Sequence, residues 1–281
     1  MSNHHLLNRV FSQKMIQDLI HHGNSPILDL AYSKYHVGFT SETNEKKIKF
    51  LYSVLEKQYR NEYFYKNTLL NKLLLGRHSL NTTTALSEVW INRSKADFIL
   101  LNGKAVVYEI KTDLDNLDRL ENQIKDYYKV FGNVEVIVSE KHMEKILKQY
   151  AHSDIGISLL TTRNTIRKVK NSQPNLEYLD VTAIYKLLRK QERISILLNL
   201  GYNLEVVDSF SEYDYYLNVF KSTPICDVYN ETIKILKHRD TKIIENDKLF
   251  VESPYELKSL LYFKPMKKKD YYLLNHAIGK E

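Results

Sequence analysis

A change of hydrophobic period between residues 79 and 138 constrains the fold of this chain more than any other feature. Before it, apolar residues recur with helical spacing, whereas within it they cluster in short β-branched and aromatic runs. These runs predict four strands, at 84–91, 95–101, 105–111 and 134–138. One amphipathic helix, at 115–130, is predicted between the third and fourth strands and ends at Gly132. The order of helix, three strands, helix and strand indicates an α/β fold.

Helical patterns flank this stretch on both sides. Short helices are predicted at 12–22 and 27–37, and a longer helix, capped by Thr43 or Asn44, runs to about residue 67. After residue 140 the pattern is almost wholly helical, with a short strand at 155–160 and a polar stretch at 161–174 that is typical of a linker. Further helices are predicted at 141–150, 180–200, 223–237 and 253–263. We therefore divide the chain into an N-terminal helical segment (1–42), a core (43–150) and a mainly helical C-terminal region (151–281).

Composition and charge narrow the classes of protein. A hydrophobic share of 43% with 27% charged residues is ordinary for a globular chain. No run approaches the ~18 apolar residues of a membrane span, and the first residues lack a signal-peptide pattern, so we expect no membrane partner and a cytoplasmic protein. The lone Cys226 excludes an internal disulfide, and no Cys/His cluster has zinc spacing. A net charge of +7 favours polyanionic partners such as nucleic acid.

Charged residues interrupt the third predicted strand. Because side chains alternate along a strand, Glu109 and Lys111 lie on one face of the otherwise apolar run 106–111. Burying a carboxylate and an ammonium is costly unless a metal or an ion pair compensates them. A second carboxylate, Asp97, ends the polar start of the preceding strand, so a hairpin brings it close to Glu109.

The turn of that hairpin decides whether the two carboxylates meet. A two-residue turn at Asn102-Gly103 would place Asp97 opposite Tyr108, on the wrong face. A three-residue loop, residues 102–104, or a bulge would align Asp97 with Glu109 instead, and Gly103 tolerates the positive φ that this requires. We predict this irregular register.

Carboxylates on one face are the ligands that Mg²⁺ prefers, with Mn²⁺ able to substitute. Such a site suits phosphodiester hydrolysis, in which Lys111 would orient the attacking water or stabilise developing charge. Glu88, in the first strand, is a candidate third carboxylate, and the backbone carbonyl of Ile110 is a further candidate metal ligand.

The spacing of Asp97 and Glu109-Ile110-Lys111 resembles the PD-(D/E)XK nuclease superfamily. Residues 108–120 with Gln123, preceded by Glu88 and Lys95-Ala96-Asp97, are similar to a largely uncharacterised bacterial family with the pattern E...(R/K)xD...YEIK(S/T)DxDxLxRLxxQ. Lys95 stands where relatives commonly have arginine, and Ala96 replaces the proline before the aspartate. The resemblance implies a restriction-endonuclease-like α-β-β-β-α-β core with a mixed sheet. It also implies a metal-dependent nuclease, acting on DNA more than RNA, in phage defence or mobile-element biology.

Three residues of the helix after the third strand are candidate substrate contacts. Arg119 and Gln123 lie four apart on one helix face, and Gln123 with Tyr127 resembles the Q-x-x-x-Y pattern of exonuclease-like members. An ion-paired helix flank is the alternative for these residues. Trp90 is expected in the core, and His142 is expected as a residue of a helix start.

Two other functions stay open. The fold could serve without chemistry, as a nucleic-acid-binding or scaffold protein in which Glu109 and Lys111 form a structural pair. Alternatively, the C-terminal helices could form a protein-interaction module, such as an immunity or antitoxin partner. A homodimer also stays open, because superfamily members often dimerise to cut two strands, although the sequence has no heptad that would establish it.

Overall fold

In the computed structural model, which describes residues 4–37, 42–76, 80–239 and 247–279, the chain begins with helices. They are α1 His5–Val10, α2 Gln13–His22, α3 Pro26–Tyr35, α4 Asn44–Gln58 and α5 Glu62–Leu69, followed by a π-helical turn at Leu70–Leu75. Helices α2 and α3 confirm two predictions, and Thr43 caps α4 as predicted by accepting a hydrogen bond from Lys46 N. The single long helix predicted to residue 67 is wrong. The Asn61 side chain accepts a hydrogen bond from Phe64 N at 3.1 Å and thereby starts a separate helix.

A six-stranded mixed sheet follows, which confirms the predicted α/β class. Its strands are β1 Thr84–Ile91, β2 Ser94–Asn102, β3 Lys104–Lys111, β4 Val134–Val138, β5 Gly156–Leu160 and β6 Ile166–Lys170. They lie side by side in sequence order. Strands β1, β2 and β3 are antiparallel, β3, β4 and β5 are parallel, and β6 is antiparallel to β5.

The sixth strand corrects the prediction of a linker at 161–174. Strand β6 lies at the edge of the sheet and reads as polar because three of its five residues are Arg167, Lys168 and Lys170. Lys168 forms an ion pair with Glu135, a buried carboxylate of β4 that also accepts a hydrogen bond from Ser158. Partners on β4 and β5 therefore stabilise this strand, and the sequence of the strand itself does not show them.

The β2–β3 loop has the predicted irregular register. Leu101 pairs with Ala105 and Asn102 with Lys104, so the chain reverses over residues 102–104 in the register that the three-residue alternative predicts. Gly103 at its centre has φ +68°, the left-handed conformation that glycine adopts without steric cost. The loop therefore aligns Asp97 with Glu109, as expected.

Two helices connect the parallel strands. Helix α6, Leu120–Tyr128, joins β3 to β4, and α7, Glu140–Gln149, joins β4 to β5. Helix α6 starts five residues later than predicted. The Asn116 side chain accepts a hydrogen bond from Asp118 N at 3.3 Å, a local turn that competes with helix formation.

Four helices, α8 Val181–Leu187, α9 Lys190–Asn199, α10 Glu212–Ser222 and α11 Ile225–Lys237, share a buried core with α6 and the sheet. Valines and isoleucines of β2 to β5 face this core, which also contains Tyr127, Tyr185 and Phe220. Burial of this apolar surface is the main term that stabilises the layer. The helix predicted at 180–200 is two helices, α8 and α9, and α10 was not predicted.

The last helices are α12 Asp247–Glu252, a 3₁₀ turn at Tyr255–Leu257, α13 Lys258–Phe263 and α14 Lys268–Ile278. They belong with the N-terminal helices in one structural unit, formed by Met1–Asn81, Thr112–Leu114 and Thr241–Glu281. The second unit, Thr82–Lys111 with Asp115–Asp240, contains the sheet. The predicted boundaries after residues 42 and 150 do not coincide with this division, because the C-terminal helices complete the N-terminal unit.

Among the described residues, none of the helices has both the length and the apolar character that a membrane crossing requires. The cytoplasmic location stays a prediction.

Candidate active site

Three carboxylates lie in a row across the first three strands. The β1–β2 register places Glu88 opposite Asp97, and the Phe98–Tyr108 pair of β2 and β3 places Asp97 opposite Glu109. One carboxylate oxygen of Glu88 lies within 4.8 Å of one of Asp97. We call Glu88, Asp97 and Glu109 the acidic row.

Glu109 is buried together with Lys111. Its exposed fraction is 1%, and its Oε1 accepts a hydrogen bond from Lys111 Nζ at 2.9 Å. Its Oε2 accepts one from the Tyr127 hydroxyl at 2.5 Å. Burial raises the pKa of Glu109 above its ordinary value, whereas the positive charge of Lys111 and the hydrogen bonds oppose that rise. The ion pair is therefore the compensation that a buried carboxylate requires.

Asp97 is oriented by the backbone of the neighbouring strand. Its Oδ2 accepts a hydrogen bond from Ile110 N at 2.8 Å, and its side chain is only partly buried. The Ile110 side chain is itself buried. This contact fixes the Asp97 carboxylate beside the backbone of Ile110, whose carbonyl is a candidate metal ligand.

Glu88 has a strained backbone. It is the only described strand residue with positive φ, +58°, a conformation that costs most non-glycine residues about 1 kcal/mol or more. Its carboxylate is about half exposed and forms an ion pair with Lys95. A strained residue beside another carboxylate, here Asp97, is typical of a functional site.

Helix α6 contributes positioning groups to the site. Gln123 Oε1 accepts a hydrogen bond from Lys111 Nζ at 2.9 Å, so Gln123 holds Lys111. Tyr127, predicted as a substrate contact, is wholly buried and holds Glu109 instead. Burial and the Glu109 carboxylate raise the pKa of Tyr127, so its hydroxyl keeps its proton and donates. Arg119, at the start of the helix, lines the cleft described next.

A cleft of about 940 Å³ opens between α6 and the β1–β2 hairpin. Asp97 and Gln123 lie in its wall, and among the described lining residues five are cationic: Arg93, Lys95, Arg119, Lys125 and Lys129. We call it the basic cleft. Its lining carboxylates are Asp97 and Asp126, of which Asp126 pairs with Lys129, so the lining keeps an excess of positive charge and is suited to a polyanion.

Trp90 also lines the basic cleft, and the expectation of a core position was wrong. Its side chain is 65% exposed. The neighbouring residues Val89 and Ile91 pack against the core, so the alternation of the strand turns Trp90 away from it. His142, by contrast, is a buried residue of the first turn of α7, as expected, and its Nε2 lies 3.1 Å from the backbone carbonyl of Asp115.

Asp126 ties α6 to the tip of the β1–β2 hairpin. It accepts hydrogen bonds from Asn92 Nδ2 at 2.7 Å, Ser94 Oγ at 2.8 Å and Lys129 Nζ at 3.0 Å. Burial alone would raise the pKa of Asp126, but these three donors outweigh it and lower the pKa below its ordinary value. The contacts fix the cleft's two walls relative to each other. The sequence did not indicate a role for Asp126, because two of its three partners, Asn92 and Ser94, lie more than thirty residues away.

Comparison with known proteins identifies the family. The model of the family described as "Bacteriophage P4 protein cII" matches residues 55–258, a stretch that includes the acidic row and Lys111. This is well over half of the chain, so the chain belongs to that family. The curated relative "Protein cII" from Enterobacteria phage P4 is 30% identical over 95 residues, and the match covers 32% of this chain and 35% of the relative's length.

A solved structure, described as the SPO1766 protein of unknown function from Silicibacter pomeroyi, aligns with 46% of this chain and 87% of its own. The TM-score is 0.30 and the identity 13%. A likeness this weak supports no inference about fold or function.

The strain at Glu88 predicts that a glycine at this position gives a more stable protein than a glutamine does. The free energy of unfolding of Glu88→Gly should be roughly 1 kcal/mol higher than that of Glu88→Gln. Both changes remove the carboxylate, but only glycine adopts the positive φ without strain. Chemical denaturation of the two variants measures the difference. Equal stabilities, or a more stable Glu88→Gln, would contradict the account of the backbone.

The contacts of Asp126 predict an acid-dependent loss of stability. A carboxylate whose pKa is lowered in the folded state stabilises the fold above its unfolded pKa, near 3.9, and this contribution is lost as the pH falls through the folded value. Asp126→Asn should therefore be less stable than wild type by about 1–2 kcal/mol at pH 7, and the gap should close below about pH 4. Denaturant titrations from pH 7 to pH 3 check this. The exposed Asp118→Asn is the matched control, and a gap of constant size would contradict the assignment.

Proposed function

We propose that this member of the bacteriophage P4 protein cII family is a metal-dependent nuclease that hydrolyses phosphodiester bonds. One observation carries the proposal: the strand register places the three residues of the acidic row opposite one another, with Lys111 two residues further along β3, and Asp97 of that row lines the basic cleft. A polyanionic strand held in the cleft would thus lie against a set of carboxylates, an arrangement that needs a cation to be compatible with phosphate.

The donor set of the acidic row fits a hard divalent cation. Glu88, Asp97 and Glu109 offer carboxylate oxygens, which Mg²⁺ prefers and Mn²⁺ accepts, and the Ile110 carbonyl is a further oxygen beside Asp97. Glu109 accepts one hydrogen bond from Lys111 and one from Tyr127, at different oxygens, and each carboxylate oxygen has a second lone pair. When bound, such an ion lowers the pKa of an attacking water and offsets charge on the scissile phosphate.

Lys111 has the geometry of a catalytic ammonium. It is buried, and Glu109 and Gln123 hold it in one position by two hydrogen bonds of 2.9 Å each. An ammonium held in advance stabilises negative charge that develops on a phosphate oxygen without reorganising during the reaction. Lys111 can also orient a water molecule toward phosphorus, since a lysine has three donors and two are used here.

The basic cleft would bind nucleic acid independently of its base sequence. Its five cations contact phosphates and release counterions, so affinity should fall steeply as salt rises. We propose DNA ahead of RNA as the polymer, on the resemblance to the PD-(D/E)XK superfamily. The relative from phage P4 supports a role in phage or mobile-element biology.

A second candidate is a nucleic-acid-binding protein without catalysis. The observation that favours it is the internal compensation of Glu109, since both of its oxygens already have protein partners. In that case the basic cleft would bind nucleic acid, and the Glu109–Lys111 pair would only stabilise the sheet. Cleavage separates the two candidates.

The test is cleavage of end-labelled single-stranded, duplex and branched DNA, and of RNA, in Mg²⁺, Mn²⁺ or EDTA. Wild type should cut only with the metal. Asp97→Asn keeps an acceptor for Ile110 N but loses the charge, and Lys111→Met loses the ammonium, so each should reduce the rate at least about 100-fold.

The chain offers a matched control in Glu135→Gln. Glu135 is also a buried carboxylate paired with a lysine, but its register opposite Tyr108 puts it on the other face of the sheet. The variant should lose stability and still cut. Metal-independent cutting, or equal loss in all three folded variants, would refute the nuclease, whereas binding without cutting on every substrate would favour the non-catalytic protein.

A further inference from the structure

A large aromatic side chain, that of Trp90, lines the basic cleft and is mostly exposed. Trp90 is the single tryptophan of the 281 residues, and 65% of its surface is exposed. An indole left in water gains nothing for folding, because hydrophobic stabilisation comes from burial. An exposed aromatic group in a binding cleft is instead available to a ligand with a flat apolar face.

The surroundings of Trp90 link it to the acidic row. Lys95 Nζ lies 6.0 Å from the centroid of the indole ring and forms an ion pair with the Glu88 carboxylate. A single lysine therefore spans the distance from the ring to the row. A ligand group stacked on Trp90 would therefore be joined by only a short length of the same ligand to a phosphate at the acidic row.

The charge of the basic cleft identifies the ligand. The cations that share the lining with Trp90 include Arg93 on the same hairpin, Lys125 on helix α6, and Arg119 and Lys129 at the two ends of that helix. A groove that combines several cations with an aromatic face is the arrangement that binds single strands, where the cations contact phosphates and the ring stacks on a base. An intact duplex hides its base faces inside the stack and offers such a ring nothing.

We propose that Trp90 stacks on an unpaired base of the bound strand, so that the preferred substrate has a single-stranded segment at the site of cleavage. This rests on the proposed nuclease function for the phosphate at the acidic row, but the stacking itself is a property of binding. It makes Trp90 a determinant of substrate class.

Binding measured without cleavage tests the stacking separately from the chemistry. Because Trp90 is the single tryptophan, its fluorescence reports on the cleft directly. In EDTA, the Asp97→Asn variant of the 281-residue chain is titrated with a 12-nucleotide thymidine strand, an abasic strand of the same length, and a blunt hairpin duplex. The thymidine strand should quench the fluorescence, and the abasic strand and the duplex should quench it little.

Variants at position 90 give the second readout, by anisotropy of the labelled strands. Trp90→Ala should bind the thymidine strand roughly ten-fold more weakly and the abasic strand unchanged, and Trp90→Phe should recover part of the loss. Equal affinity of Trp90→Ala for the thymidine strand, or an equal loss on the abasic strand, would overturn the stacking. A failure of the nuclease alone would leave this pattern intact, whereas a failure of the stacking alone would leave metal-dependent cutting with no preference for unpaired strands.

Discussion

The buried ion pair between Glu109 and Lys111 is the constraint on which the site depends. Two buried charges at the end of an otherwise apolar strand cost several kcal/mol each in desolvation, and a short mutual contact and helix α6 compensate this cost. Gln123 and Tyr127 of that helix complete the hydrogen bonding. The same contacts that make the charges tolerable also hold them in one geometry, which is the property that catalysis needs.

The loop between β2 and β3 determines where Asp97 lies relative to the buried Glu109–Lys111 pair. Its three residues, with Gly103 at positive φ, set the register that puts Asp97 opposite Glu109. The first hairpin extends the row to Glu88, where the backbone becomes strained. Asp126 then fixes the tip of that hairpin to α6. The cleft is thus built from the strands and one helix, with few contributions from long loops.

The sequence was most informative where period and turn chemistry decide the structure. The alternation of apolar and polar residues identified strands β1 to β5 and put Glu109 and Lys111 on one face. Because Asp97 had to lie on that same face to share a site with Glu109, the irregular β2–β3 loop could also be predicted. Features that depend on distant partners could not be read locally. The burial of Tyr127 follows from its contact with Glu109, the exposure of Trp90 from the packing of its two neighbours, and strand β6 from ion pairing across the sheet.

The central claim is that the acidic row binds a divalent cation. Calorimetric titration of Mn²⁺ into the 281-residue protein, without nucleic acid, tests it most directly. The account predicts saturable binding that is lost in Asp97→Asn and kept in Glu135→Gln, whose carboxylate lies on the other face of the sheet. Absence of saturable binding to the wild type, or equal binding by Asp97→Asn, would contradict it.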